Sequence, residues 1–258
     1  MLTFRKTTHI FFILLLLLCV FVIIGFEVYY WYFLVLAGIY ISITFGFSFF
    51  IRSGFFYEAL SREDTNEKNI SITFDDGPDI EYTHLILDIL KAADAKATFF
   101  CIGKKIRGNE ELLKRMDKEG HLIGTHSYSH SNWFDLFSSS RIKKEFQQCE
   151  ELMHEITGKR PLLFRPPYGV INPLVKKALE GTGYHVIGFS NRAWDTVTQR
   201  EEKILSRICR SLKPGDIVLL HDTVQQNINV LKEFLDHLSM HDFKIVPLDK
   251  LLNIEAYE

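Results

Sequence analysis

Hydrophobic positions are distributed very unevenly along this chain. From Ile10 to Phe26 (IFFILLLLLCVFVIIGF) and from Val28 to Ile51 (VYYWYFLVLAGIYISITFGFSFFI) they run almost unbroken, and up to Arg52 the only charges are Arg5, Lys6, Glu27 and Arg52. As helices these runs would extend about 25 Å and about 36 Å, against a hydrocarbon core of about 30 Å. A single helix of both would be far too long. The pattern therefore predicts a transmembrane helical hairpin, with helices over about 10–26 and 28–51 and a turn at Gly25-Phe26-Glu27. Tyr29, Tyr30, Trp31 and Tyr32 open the second run, where amphipathic rings favour the membrane–water boundary. A cleaved signal peptide fits less well, because no small-residue cleavage site follows the first run and a second apolar run comes next. Residues 1–52 are thus expected to be a retained, multi-pass anchor in contact with the lipid bilayer.

Beyond residues 53–68, read as a linker ending in the polar stretch SREDTNEK, the pattern changes. Short apolar runs (Ile70–Phe74, Ala97–Phe100, His121–Thr125, Leu162–Phe164, His185–Phe189, Ile217–Leu220, Phe243–Val246) alternate with amphipathic stretches. In Arg141–Thr157 the apolar residues Ile142, Phe146, Cys149, Leu152, Met153 and Ile156 recur at steps of three and four before Gly158. Asn172–Glu180, Glu201–Leu212 and Asn227–Leu238 read similarly, with Pro173 suited to a first helical turn. About seven strand–helix alternations predict an α/β domain of parallel βα units over residues 69–254, which either a closed barrel or an open doubly wound sheet would satisfy. No Gly-rich phosphate loop follows any strand, which weakens nucleotide-binding versions.

Composition removes some function classes. With 47% apolar and 24% charged residues the chain is neither disordered nor collagen-like. Without Arg5, Lys6, Arg52 and Glu27, the remaining 27 basic and 31 acidic residues leave Ser53–Glu258 at a net charge of −4. So mild an acidic balance is a poor match for phosphate-backbone binding, and nucleic acid is excluded as a partner. Cys19, Cys101, Cys149 and Cys209 form no CxxC pair and are expected to be free thiols, with one bridge between distant positions left open by the sequence.

Four apolar runs end in polar clusters: Asp75-Asp76-Gly77-Pro78, His126-Ser127-Tyr128-Ser129-His130, Arg165-Pro166-Pro167-Tyr168-Gly169 and His221-Asp222. In βα folds the carboxyl ends of the strands share one face, so these clusters should converge. Adjacent carboxylates at a strand end diverge, so that one of Asp75 and Asp76 can bind a cation while the other stays free as a base. His126 and His130, with one carboxylate, make a His₂-Asp set suited to Zn²⁺ or a similar ion such as Co²⁺ or Ni²⁺. Arg165 can hold a neighbouring carboxylate ionised, and His221 is suited to proton transfer.

In order and spacing these clusters resemble the polysaccharide deacetylase family with a NodB-homology domain, of carbohydrate esterase type. Ala97-Thr98-Phe99-Phe100-Cys101-Ile102-Gly103 looks like that family's second-strand signature. The resemblance runs from about Asn69 to Leu252. It implies a distorted (β/α) barrel of about seven parallel strands, preceded here by the hairpin. It implies a hydrolase that removes N- or O-acetyl groups from sugars, using one divalent ion, Zn²⁺ first; with the hairpin, the expectation is a membrane-anchored enzyme acting on a cell-envelope polysaccharide. Asp76, His126 and His130 match the metal ligands, Asp75 the general base, Arg165 the residue that orients it, His221 the general acid, and the Tyr168 backbone N–H an oxyanion donor.

In one place the chain departs from that pattern. The family's fourth motif carries an Asp before a Trp, and here Ala193 precedes Trp194; Asp195 or Asp222 is left to tune His221. Two alternatives follow: another amide or acyl substrate on the same scaffold, or a glycan-binding pseudoenzyme. Trp133, Phe134 and Trp194 are candidates for stacking on sugar rings, although Trp133 and Phe134 equally suit the core or a membrane contact. Two spans put the N-terminus and the domain on one side, where Arg5, Lys6 and Arg52 favour the cytoplasm. A cell-envelope substrate would instead favour the extracytoplasmic side, and the charge bias is small enough to be overruled, so both sides stay open.

Overall fold

Thr3 Oγ1 accepts the Lys6 N–H at 3.3 Å and caps helix α1, Phe4–Ile23, which therefore begins before the apolar run and includes Arg5 and Lys6. After a turn, α2 covers Tyr30–Ser48. In this computed structural model, which describes residues 2–258, the two helices meet through Phe11 stacked on Tyr40 at 4.5 Å and a 2.9 Å hydrogen bond between the Thr8 and Tyr40 hydroxyls. Both are long and apolar enough to cross a membrane, and their large side chains, Leu16, Ile23, Leu34 and Phe45 among them, point outward.

The open end of the hairpin is built into the rest of the protein. The Phe4 N–H donates to Phe55 C=O at 2.8 Å, and Phe47 stacks on Phe55 at 4.5 Å. Ile51, Phe55 and Phe56 are buried with Phe134, Phe137, Ile142, Ile171 and Val175 in one apolar cluster. Ser48 C=O accepts the Ile171 N–H at 3.0 Å.

The strands are β1 Asn69–Asp75, β2 Thr98–Cys101, β3 Leu122–Thr125, β4 Leu163–Phe164, β5 His185–Val186, β6 Asn191–Arg192, β7 Ile217–His221 and β8 Lys244–Ile245. Their order is β5-β4-β3-β2-β1-β7-β6, with β8 pairing the start of β1, and every pairing is parallel. The seven strands in that order form a distorted α/β barrel. No ladder joins β5 to β6; the Leu60–Ile187 bridge and the Arg62–Asp216 ion pair brace that side. The helices α3 Thr83–Ala92, α4 Gly103–Ile106, α5 Glu110–Lys118, α6 Ser139–Thr157, α7 Pro173–Leu179, α8 Glu201–Ser211, α9 Gln226–Met240 and α10 Leu248–Leu252 complete the chain.

Strand periodicity decides what the barrel mouth contains. Along β1, Ile70, Ile72 and Phe74 join the core under the helices, whereas Ser71, Thr73 and Asp75 alternate onto the inner face. There Ser71 and Thr73 hydroxyls donate to Val246 and Val218 carbonyls at 2.7 and 2.9 Å. In β7, Val218 and Leu220 face the helices, which leaves Leu219 and His221 inside. The β1–β7 register sets Asp75 directly beside His221.

Several expectations shift. Of the strand expected over His185–Phe189 only His185–Val186 forms a regular ladder, with Ile187 in an isolated bridge to Leu60; β6 forms where no apolar run was read, and α3 and α5 fill stretches between apolar runs for which no helix bounds were given. Phe134, a stacking candidate, is 1% exposed and packs against Phe137 and Phe146, so it cannot touch a glycan. All four cysteines are free.

Candidate active site

The four polar clusters do meet at the carboxyl ends of the strands. Asp75, Asp76, His126, His130, Arg165, Tyr168 and His221 line one cavity of about 220 Å³. That is smaller than the roughly 300–1,000 Å³ of pockets that enclose a drug-sized ligand, and it suits part of a longer substrate.

Asp75 is 4% exposed, and its Oδ1 accepts from Arg165 Nη1 at 2.7 Å. The same Nη1 donates to Thr73 Oγ1 at 2.7 Å, Nη2 to Gly188 C=O at 2.8 Å and Nε to Ile187 C=O at 3.3 Å. A guanidinium held at every edge fixes one face of Asp75 and leaves Oδ2 toward the cavity, 3.9 Å from His126 Nε2. The Phe100 ring supports Arg165 from 4.2 Å, and a Cβ on Gly124 would lie 2.7 Å from that ring, so β3 must be bare there.

Asp76 leaves the strand with φ 74°, which swings its carboxylate away from Asp75. The turn beyond it is braced by Asp222: Thr83 Oγ1 donates to Asp222 Oδ2 at 2.6 Å, and a Cβ on Gly77 would fall 2.0 Å from that oxygen. Only glycine fits such an approach. His126 Nδ1 lies 2.7 Å from Arg165 C=O, a contact that requires Nδ1–H and so leaves Nε2 as a lone pair. Glu145 on α6 accepts the Ser129 N–H at 2.6 Å and pins the loop carrying His130.

Asp76 Oδ1 lies 3.5 Å from His126 Nε2 and 3.3 Å from His130 Nε2, and the three donor atoms fall within 4.8 Å of one another. Bonds of about 2.0–2.1 Å in a tetrahedron separate donors by about 3.3 Å, so the spacing fits a first-row ion. Asp76 Oδ1 is also buried without a hydrogen-bond partner, as expected of an atom reserved for a cation. Burial would raise the Asp76 carboxyl, but the imidazoles of His126, His130 and His221 outweigh it and hold the group below its ordinary value. Burial, and then His126, push His130 down to about 4, leaving it a neutral donor at pH 7.

His221 Nδ1 lies 2.8 Å from Asp195 Oδ1, and Asp195 Oδ2 accepts the His221 backbone N–H at 2.8 Å and an Asn227 N–H. Burial lowers His221, yet Asp195 overcomes it and raises the imidazole to about 9. Asp195 is therefore the carboxylate that serves His221. Asp222 is turned away toward Thr83.

Asp76, Ser127, His130, Tyr168 and Trp194 all have positive φ between 45° and 74°, so backbone strain is concentrated around this cavity. Tyr168 Oη donates to Asn132 Oδ1 at 2.8 Å, and its ring lies 4.8 Å from that of His130. Trp133 and Trp194 are exposed on the surface. Sequence reasoning did not single out Thr73, Thr83, Glu145, Phe189 or Arg192. Strand alternation two residues before Asp75 could have found Thr73; nothing local marks Glu145.

The sequence profile of polysaccharide deacetylase matches residues 62–187. A peptidoglycan-N-acetylglucosamine deacetylase of Bacillus cereus is 37% identical over 195 residues, covering 72% of this chain and 89% of its own length. A peptidoglycan-N-acetylmuramic acid deacetylase of Bacillus subtilis is 32% identical over 200 residues, covering 76% of each chain. The crystal structure of the Bc1960 peptidoglycan N-acetylglucosamine deacetylase has a TM-score of 0.74 at 27% identity, covering 78% of this chain and 95% of that one.

Proposed function

This chain belongs to the polysaccharide deacetylase family of hydrolases, and we propose that it is a membrane-anchored, zinc-dependent enzyme that removes acetyl groups from amino sugars of peptidoglycan. The observation that carries this reading is the arrangement of three groups on one cavity: the Asp76–His126–His130 donor set, Asp75 clamped by Arg165, and His221 backed by Asp195.

Asp76, His126 and His130 would hold the divalent ion, which when bound would supply polarisation of the acetyl carbonyl and acidification of a neighbouring water. Asp75, held in place by Arg165 through Oδ1, takes the proton from the attacking water through Oδ2. The Tyr168 backbone N–H donates to the oxyanion that develops on the acetyl group. His221 gives the Nε2 proton to the departing sugar nitrogen, and Asp195 stabilises the imidazolium until then. Without that proton the amine is a very poor leaving group.

In this reading residues 1–52 form a two-span anchor, 53–68 connect it, and 69–254 form a catalytic domain on the extracytoplasmic side. Resistance to carbonate extraction, with the domain open to protease on intact cells, would support that topology. For the chemistry, full-length protein in detergent with Zn²⁺ or Co²⁺ is incubated with peptidoglycan, chitin-type oligomers and acetylated xylan. Acetate is expected from peptidoglycan, and to vanish in Asp75→Asn. Release that persists in that variant and after chelation, or no release from any polymer, would overturn the proposal.

A further inference from the structure

Two arginines reach the wall of the cavity, and they are used differently. Arg165 spends its Nε, Nη1 and Nη2 on Ile187, Thr73, Asp75 and Gly188. Arg192 makes no ion pair or side-chain hydrogen bond with any described residue, and its Nε is buried without a partner. It is nonetheless placed with care. Asn191 turns toward the helices, where its Nδ2 donates to Ile208 C=O at 2.9 Å, and Ala193 returns to the helix-side core. The alternation of β6, registered Arg192 to Leu219, thus aims Arg192 into the cavity that Leu219 also lines. Its guanidinium carbon lies 4.2 Å from the Trp194 ring centre and 5.6 Å from that of Phe189.

Contact with aromatic rings orients a guanidinium while leaving its edge of parallel N–H groups open, the geometry that grips a carboxylate with two hydrogen bonds. A half-buried cation with no protein counter-charge lacks the compensation that such groups normally have. We propose that Arg192 is an anion subsite, recognising a carboxylate on the sugar that bears the scissile acetyl group. This rests on the acetyl-hydrolase reading above. Of the two amino sugars named for the relatives, N-acetylmuramic acid carries a carboxylate and N-acetylglucosamine does not. Arg192 lines the same cavity of about 220 Å³ as the groups assigned to the reaction, which suits an anion on the reacting residue itself.

The test compares two peptide-free peptidoglycan glycans that differ only in whether the muramyl carboxylates are free or converted to methylamides. For the full-length, zinc-loaded protein in detergent, kcat/KM on the free acid should exceed that on the amide at least tenfold, and the preference should shrink as salt is raised. Arg192→Gln should collapse the ratio through KM, and Arg192→Lys should keep part of it. Equal turnover of both glycans by the wild type, or a preference that survives in Arg192→Gln, would overturn the assignment. If Arg192→Gln does not fold, salt sensitivity of the wild-type ratio decides: a salt-independent ratio refutes. If neither glycan is turned over, the hydrolase reading fails separately, and calorimetric binding of the two glycans decides the subsite. Tighter binding of the free acid supports it and equal binding refutes it.

Discussion

Replacing Asp195 by Asn keeps the shape of the His221 support and removes its charge. His221 Nδ1 sits 2.8 Å from Asp195 Oδ1 in a site where His221 is only 7% exposed, so the carboxylate acts across a poorly solvated contact. It raises the imidazole from 6.5 to about 9 against the pull of burial. That difference corresponds to about 3 kcal/mol favouring the imidazolium. A raised histidine keeps its proton below the folded pKa and loses it as pH climbs through that value. Wild-type acetate release should therefore fall on an alkaline limb near 9, and in Asp195→Asn that limb should move well down, toward the ordinary imidazole value. At pH 8 the variant should retain on the order of one part in ten or less of wild-type kcat, because most His221 would lack the proton it must give. The assay is a pH–rate profile of acetate release. Thermal melting serves as a control, since an Asn amide also turns a donor toward the His221 or Asn227 N–H, worth about 1–3 kcal/mol of stability. An unchanged alkaline limb in a folded Asp195→Asn protein would refute the role given to His221.

Chelation should abolish acetate release and Zn²⁺ or Co²⁺ should restore it; His130→Ala should weaken zinc binding by more than the roughly 10–100-fold typical of outer contacts, read by calorimetry. His121 is a separate, structural case: its Nδ1 accepts the Ala97 N–H at 3.1 Å, and burial pushes it down to about 4. The unfolded chain then binds a proton that the native state refuses between 6.5 and about 4, so stability falls as pH drops through that window by up to about 3 kcal/mol. Melting temperatures at pH 7 and 4.5 should show that loss in the wild type and less of it in His121→Gln. Gly215 has φ +77° and a Cβ there would sit 1.9 Å from Glu63 C=O, so Gly215→Ala should destabilise by roughly 2–4 kcal/mol in denaturant titration.

What was legible in the sequence was whatever the strands themselves encode. Asp75 and His221 end apolar runs, and alternation alone sends both side chains inward, where the register makes them neighbours. The two apolar runs likewise announced their helices, although the Thr3 cap moved the first start back to Phe4. Illegible features depend on contacts between distant segments. Asn191 and Arg192 become a strand only because β7 offers a ladder, and two polar residues give no periodic signal. Choosing between Asp195 and Asp222 depended on the left-handed Trp194, φ 59°, which turns the chain so that Asp195 meets His221 from 26 residues away. Phe134 beside Trp133 looked like a sugar platform, but the short turn at Phe134–Leu136 points it into the core.

The phenylalanine-rich junction at the base of the hairpin has a practical side. A fragment shortened to begin at Ser53 would strip Phe4, Phe47 and Ile51 from Phe55, Phe56 and the cluster behind them, leaving a sticky surface. It would also cut the tie between Ser48 C=O and the Ile171 N–H, three residues from Tyr168. Rates measured on such a fragment would describe a protein whose Tyr168 loop has lost one of its moorings.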